Sequence, residues 1–281
     1  MHIPRAWAKA TADCRTSENR DIRVAVWGCG PEEDEASRDA SSRLARVLER
    51  IRRGDPLPGA YAYGSRPLRE EILQTCEGET PDEPDAIVTR NRYGAMVLNT
   101  ARLLFLDIDF PPSGPGAFLR RLFSPSRPPD DEAALSRLRD AAHLNGGVTL
   151  RLYRTAAGLR AIAIGRDFDP LGRDAKDLMT AAGTDPAFMN LCVVQKSFRA
   201  RLTPKPWRCR CPLPPGEHPR TDDEVRQRFA DWLGRYESVS SGYATCRYLE
   251  TVGSARLTGT AKTLVTLHDR VTRAIEALPL A

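Results

Sequence analysis

Arg102-Leu103-Leu104-Phe105-Leu106-Asp107-Ile108-Asp109-Phe110 is the stretch whose reading decides the fold. A short run this apolar reads as a buried strand. Alternation along a strand places Leu104, Leu106, Ile108 and Phe110 on one face, and Leu103, Phe105, Asp107 and Asp109 on the other. Two carboxylates therefore leave the C-terminal end of the strand on the same side, one residue apart. Like charges so placed repel unless a cation such as Mg²⁺ or Mn²⁺ sits between them. Otherwise they cap a helix or meet arginines.

Working outward toward the C-terminus, a Pro/Gly/Ser-rich passage holds one or two predicted helical turns at Ala117–Phe123. Asp130 or Asp131 then caps a helix that Asn145-Gly146-Gly147 stops near Leu144. Strands at 148–154 and 159–165 flank the tight turn Thr155-Ala156-Ala157-Gly158. A helix near 173–182, a turn or helix near 185–191 and a strand at 193–203 follow. Strand, helix, strand, strand, helix, strand is the split β-α-β order, so the expected fold is α+β with an RRM/ferredoxin-like core. Two helices would cover one sheet face and leave the other open.

Toward the N-terminus, strands at 86–89 and 95–99 surround the turn Asn91-Arg92-Tyr93-Gly94, preceded by a polar loop at 77–85 and a short helix near 67–75. A strand at 22–27 leads through Gly28-Cys29-Gly30 into an amphipathic helix carrying Ala36, Leu44, Val47, Leu48 and Ile51. That Gly-x-Gly lacks the third glycine of a dinucleotide loop, and acidic Glu32, Glu33 and Asp34 stand where phosphate would dock. Beyond the core come helices at 221–236 and 261–277 around a strand at 244–250. The expected organisation is an N-terminal α/β extension (1–85), an RRM-like core (86–205) and a helical C-terminal addition packed on that core (206–281).

The strand at 193–203 carries the opposite charge. Gln195, Ser197, Arg199, Arg201 and Thr203 share one face, and a covered arginine pair needs a partner. Asp107 and Asp109 would serve, forming an inert network; a phosphate-bearing ligand would serve equally. Just beyond, Pro204-Lys205-Pro206-Trp207-Arg208 sets two cations beside an aromatic ring on a stiffened backbone. The hairpin adds Arg151, Tyr153, Arg154, Thr155 and Arg160, charged or polar interruptions that point to a ligand-facing edge.

Composition narrows the class. The 281 residues are 41% hydrophobic and 28% charged, enough for a core and against wholesale disorder. No apolar run approaches a membrane span, and the start Met-His-Ile-Pro-Arg-Ala-Trp has no apolar signal core, so the expected setting is cytoplasmic with no membrane partner. The net charge of +5 comes mainly from arginine, the better fork for phosphate. Seven cysteines are an odd, scattered set, expected as reduced thiols. Cys209-x-Cys211 with His218 is a poor zinc spacing and lacks a fourth ligand. His143 and His268 are expected on helix surfaces, and no spacing supports a nucleophile-histidine pair.

On these residues the chain resembles the archaeo-eukaryotic primase (primase-polymerase) superfamily over roughly 100–205. Phe105-Leu106-Asp107-Ile108-Asp109 is similar to its first motif, hydrophobic-Asp-x-Asp at a strand end. Arg154-Thr155-Ala156-Ala157-Gly158-Leu159-Arg160 is similar to its second, with Arg160 where the family has a nucleotide-binding histidine. The third motif's carboxylate has no counterpart in 193–203. The resemblance implies a core of primase-palm type, with Asp107 and Asp109 as catalytic metal ligands. It also implies Arg154, Thr155, Arg160, Arg199, Arg201 and Lys205 on the phosphates of a nucleoside triphosphate or nucleic acid. The chain further resembles a group of bacterial proteins sharing Ile3-Pro4-x-x-Trp7, Asn99-Thr100…Asp107-Ile108-Asp109 and Phe198–Trp207, which implies no activity.

Other readings stand beside a primase-polymerase-like nucleotidyltransferase with a degenerate site. A non-enzymatic RRM-like module would stack bases on Phe105 and Tyr153. A phosphatase of Asp-x-Asp type would need a repeated parallel βαβ order and a Thr or Val where this chain has Pro111. A scaffold would use its Asp/Arg face structurally. A third acid, for instance Asp167, Asp169 or Glu250, close to the Asp pair would favour the enzyme.

Overall fold

The computed structural model describes residues 1, 3–55, 67–78, 84–110, 130–144 and 146–281. Their mixed α+β fold holds six α-helices and three antiparallel sheets, in two compact units, His2–Arg69 and Glu70–Ala281 with Met1. The turns expected at Ala117–Phe123 lie outside the described residues.

In the smaller unit, β1 (Ala6–Arg15) and β2 (Asp21–Gly30) form a hairpin against α1 (Glu33–Arg53). Strand β1 escaped the sequence reading because its apolar positions are mostly alanines. Gly28 explains the Gly-x-Gly: a Cβ there would meet Ala40 N at 2.1 Å and Ala36 O at 2.4 Å. The glycine lets helix and strand backbones touch.

In the larger unit, one sheet has the order β10-β7-β8-β6 and the other β3-β4-β5-β9. Here β3 is Glu71–Cys76, β4 Ala86–Arg90, β5 Met96–Thr100 and β6 Phe105–Asp109. β7 is Thr149–Thr155, β8 Gly158–Ile164, β9 Phe198–Arg201 and β10 Cys246–Val252. Helices α2 (Asp130–Leu144), α3 (Arg173–Ala182), α4 (Pro186–Gln195), α5 (Asp223–Ser240) and α6 (Gly259–Thr272) complete it. One apolar core joins Leu104, Leu106, Leu138, Leu150, Ile162, Leu178, Phe198 and Leu264. The expected hairpin is present, with Ala156-Ala157 as its two-residue loop.

Three expectations are corrected. Residues 71–76 form β3, where pairing with β4 overrides the helical preference of Glu-, Leu- and Gln-rich sequence. The strand expected at 193–203 shrinks to Phe198–Arg201, because Asp185 caps α4 and Pro186 opens it, carrying the helix through Val194 and Gln195. Lys196, with φ 48°, then turns the chain into β9. Strand β9 pairs with β5 and not with β6, so the core ladder holds β7-β8-β6 without its fourth strand.

The sheet face expected to be open is covered where α6 meets it. Phe105 and Tyr153 are buried, their rings 6.1 and 5.0 Å from the His268 ring. His268, expected on a helix surface, is fully enclosed, whereas His143 is exposed. Neither ring is open for a base to stack on in this arrangement.

Candidate functional site

The covering helix leaves the C-terminal end of β6 exposed. Asp107 is half-buried and Asp109 exposed. Opposite them on β8 stand Arg160 and Gly158. A Cβ on Gly158 would lie 1.9 Å from Ile108 O, so only glycine lets the hairpin seat against the carboxylate strand.

Four cations gather around this end. Arg160 is buried, donating from Nη1 to the Arg201 carbonyl at 2.8 Å and standing 3.3 Å from His268 Nε2. It fixes the backbone from which Arg201 projects. Burial, then Arg160, pushes the Arg201 guanidinium down to about 10. Its Nε is buried with no hydrogen-bond partner among the described residues. Lys205 is held below the ordinary lysine value by burial and then by Arg201 and Arg208. Tyr236 pins this segment, its hydroxyl donating to Pro204 O at 2.6 Å. Trp207, 49% exposed, lies edge-on to Tyr93 at 5.3 Å, with Lys205 Nζ 5.5 Å from its ring.

The acids are strained in the opposite sense. Partial desolvation at the strand end, then Asp107, raises Asp109 above the usual carboxylate range, and Asp185 adds to the rise while Lys205 and Arg201 oppose it. Asp185 was not anticipated as a neighbour. Its N–H donates to the Asp107 carbonyl at 3.1 Å while its side chain caps Ala187 N at 3.2 Å, bringing the start of α4 against β6. Its only sequence signal was the Asp-Pro helix start.

Among the described residues, the side chains of Asp107, Asp109, Arg201, Lys205 and Arg208 take part in no ion pair within 4.0 Å. The inert Asp–Arg network is thus not formed. Arg199 instead places Nη2 2.7 and 2.9 Å from the two carboxylate oxygens of Glu70. Glu70 also accepts from Thr89, which accepts from Asn99, extending a buried cluster. Arg154 reaches Asp131 at 3.2 Å and lies over the Phe110 ring at 5.2 Å, and Thr155 Oγ1 accepts from Ala157 N. Both sit at the hairpin turn beside Asp109.

Of the acids considered as a third ligand, Glu250 pairs with Arg139 and Asp167 approaches Arg102, while Asp169 accepts from Leu171 N. Among the described residues no group of three or more His, Cys, Asp or Glu side chains is arranged to hold a metal ion. That includes Cys209 and Cys211, which are buried beside Phe229, Trp232 and Tyr236 as small apolar fillers. The same residues contain no helix long and apolar enough to cross a membrane. Compared with protein-family models, curated proteins and solved structures, the chain matches none.

Proposed function

We propose that the end of β6 binds phosphate together with a divalent cation. The particular reading within that class is a primase-polymerase-like protein acting on a nucleoside triphosphate or nucleic acid. Its site would be degenerate relative to a three-carboxylate centre. The observation that carries the reading is the unpaired charge. Acids and bases stand side by side without ion pairs, and Asp109, Arg201 and Lys205 are each pushed toward neutrality. A ligand that is itself a cation bound to an anion relieves both halves at once.

Two carboxylates do not make a closed protein cage, but they fit Mg²⁺, which is commonly held by one or two carboxylates plus the substrate's phosphates. Asp107 and Asp109 would hold that ion, and when bound it neutralises phosphate oxygens. Arg201, Lys205 and Arg208 would take the remaining phosphate charge, with Trp207 at the rim. The β7-β8-β6 order with α2 and α3 supports the palm-type reading. The antiparallel ladders do not support the Asp-x-Asp phosphatase, which needs a parallel sheet.

The test is calorimetry of Mn²⁺ with a nucleoside triphosphate on the wild type and on Asp107→Asn/Asp109→Asn, with circular dichroism as a check of folding. Metal-dependent triphosphate binding that disappears in a folded double mutant is the expected result. Equal behaviour of the two proteins would sink the proposal.

A further inference from the structure

A cavity of about 470 Å³ opens at the other end of β6. Its apolar floor is Leu103, Ile164 and Leu264, all buried. Three arginines line it, Arg102, Arg166 and Arg256, from three separate stretches of chain. Their engagement is graded. Arg166 pairs with Asp174 at 3.0 Å and lies over the Phe168 ring at 4.4 Å. Arg102 is 3.9 Å from Asp167, and the Arg256 side chain has no ion pair or hydrogen bond among the described residues.

The acids of the lining are already occupied or offset. Asp85 Oδ2 accepts from Thr260 Oγ1 at 3.0 Å, and Asp167 faces Arg102. Arg166 is met by Asp174 and Arg102 only at 3.9 Å by Asp167, which leaves Arg256 unengaged and Arg102 with donors to spare at the rim. The volume lies within the range of small-molecule sites, and an apolar floor with a few polar groups at the rim is their usual composition. Spare forks select a phosphate, the floor accepts a flat apolar body, and the acids' remaining lone pairs accept from hydroxyl or amino groups.

We infer that this cavity is a second binding site, for a phosphomonoester of mononucleotide size. It goes beyond the function proposed above and shares none of its residues.

The experiment is isothermal calorimetry with adenosine monophosphate, guanosine monophosphate and inorganic phosphate, without divalent metal and at fixed ionic strength. The proteins are the wild type, Arg102→Ala/Arg256→Ala and Asp107→Asn/Asp109→Asn. Both arginines are exposed, so the double alanine variant is expected to fold, which its melting temperature checks. One-to-one binding weakened about tenfold or more by the arginine variant, and unchanged by the aspartate variant, is the expected result. Absence of binding, or binding indifferent to Arg102 and Arg256, overturns the inference. Loss confined to the aspartate variant also overturns it, while leaving the β6 proposal standing. A wild type that binds inorganic phosphate as tightly as the nucleotides would refute the mononucleotide assignment.

Discussion

Arg199 and Arg201 stand two residues apart on β9, yet they live in different electrostatic circumstances. Arg199 is buried on Glu70, with Thr89 and Asn99 extending a buried polar cluster between strands. Arg201 has carboxylates nearby and pairs with none, and its charge is destabilised by burial and by Arg160. A charge satisfied from within holds the fold. A charge kept near its opposite without contact is available to something from outside. The same residue type on one short strand serves both purposes, and the partner decides which.

The largest effect that would break this comparison is expected at the buried cluster. Glu70→Ala, which strands a buried guanidinium, should destabilise the larger unit by ~3–5 kcal/mol, read as a shift in the urea midpoint. A loss below about 1 kcal/mol would mean that Arg199 finds water or another acceptor.

Arg201→Met should do the reverse. Its melting temperature should hold or rise, since an unpaired, half-buried cation is removed, while metal-dependent triphosphate binding falls about tenfold or more. A destabilised Arg201→Met that still binds would erase the distinction between the two arginines.

His268 sharpens the contrast with a buried group whose charge depends on pH. Burial pushes its imidazole down, but hydrogen bonding to Asp269 and to Cys246 outweighs this and holds it above the ordinary histidine value. A raised folded value contributes stability below the unfolded value of about 6.5, and that contribution is lost as pH rises through the folded value. His268→Gln should therefore cost ~1–3 kcal/mol at pH 6, and less above the folded value. Denaturation profiles at several pH values check it, and a cost independent of pH would contradict a raised folded value.

The smallest effect is at the rim. Trp207→Ala should change stability by no more than ~0.5 kcal/mol, as expected of an exposed side chain. If the urea midpoint falls well beyond that, the ring is a packing anchor for Tyr93 and not a spare surface.

Local pattern made β6 and the β7–β8 hairpin legible: an unbroken apolar run ending in Asp-x-Asp, and two alternating strands about a tight turn with Gly158. Period could not show β3, because Glu70–Gln74 prefers helix until β4 supplies a partner. Nor could it show where α4 yields to β9, since Val193-Val194 reads as strand until the Asp185-Pro186 start is given its weight. Missing β3 meant missing Glu70, and with it the reason that Arg199 and Arg201 part company. The faces inferred by parity put Asp107 and Asp109 together, but parity is blind to what packs on a face. Helix α6, nearly a hundred residues further along the chain than β8, is what encloses Phe105, Tyr153 and Arg160.

The tie between Asp185 N–H and the Asp107 carbonyl makes the segment from Asp185 to Arg201 a measuring rod. It leaves the acid end of the site along α4, whose ten residues advance ~15 Å. After the turn at Lys196, β9 travels back ~13 Å over its four residues to deliver Arg201 beside the acids from which the rod began. The gap between negative and positive halves is thus written into the length of one continuous piece of chain. Inserting or deleting a single residue in α4 would rotate its far end by about 100° and take the register of β9 with it. The count of residues between Asp185 and Arg201 thus sets how far the arginine stands from the acids.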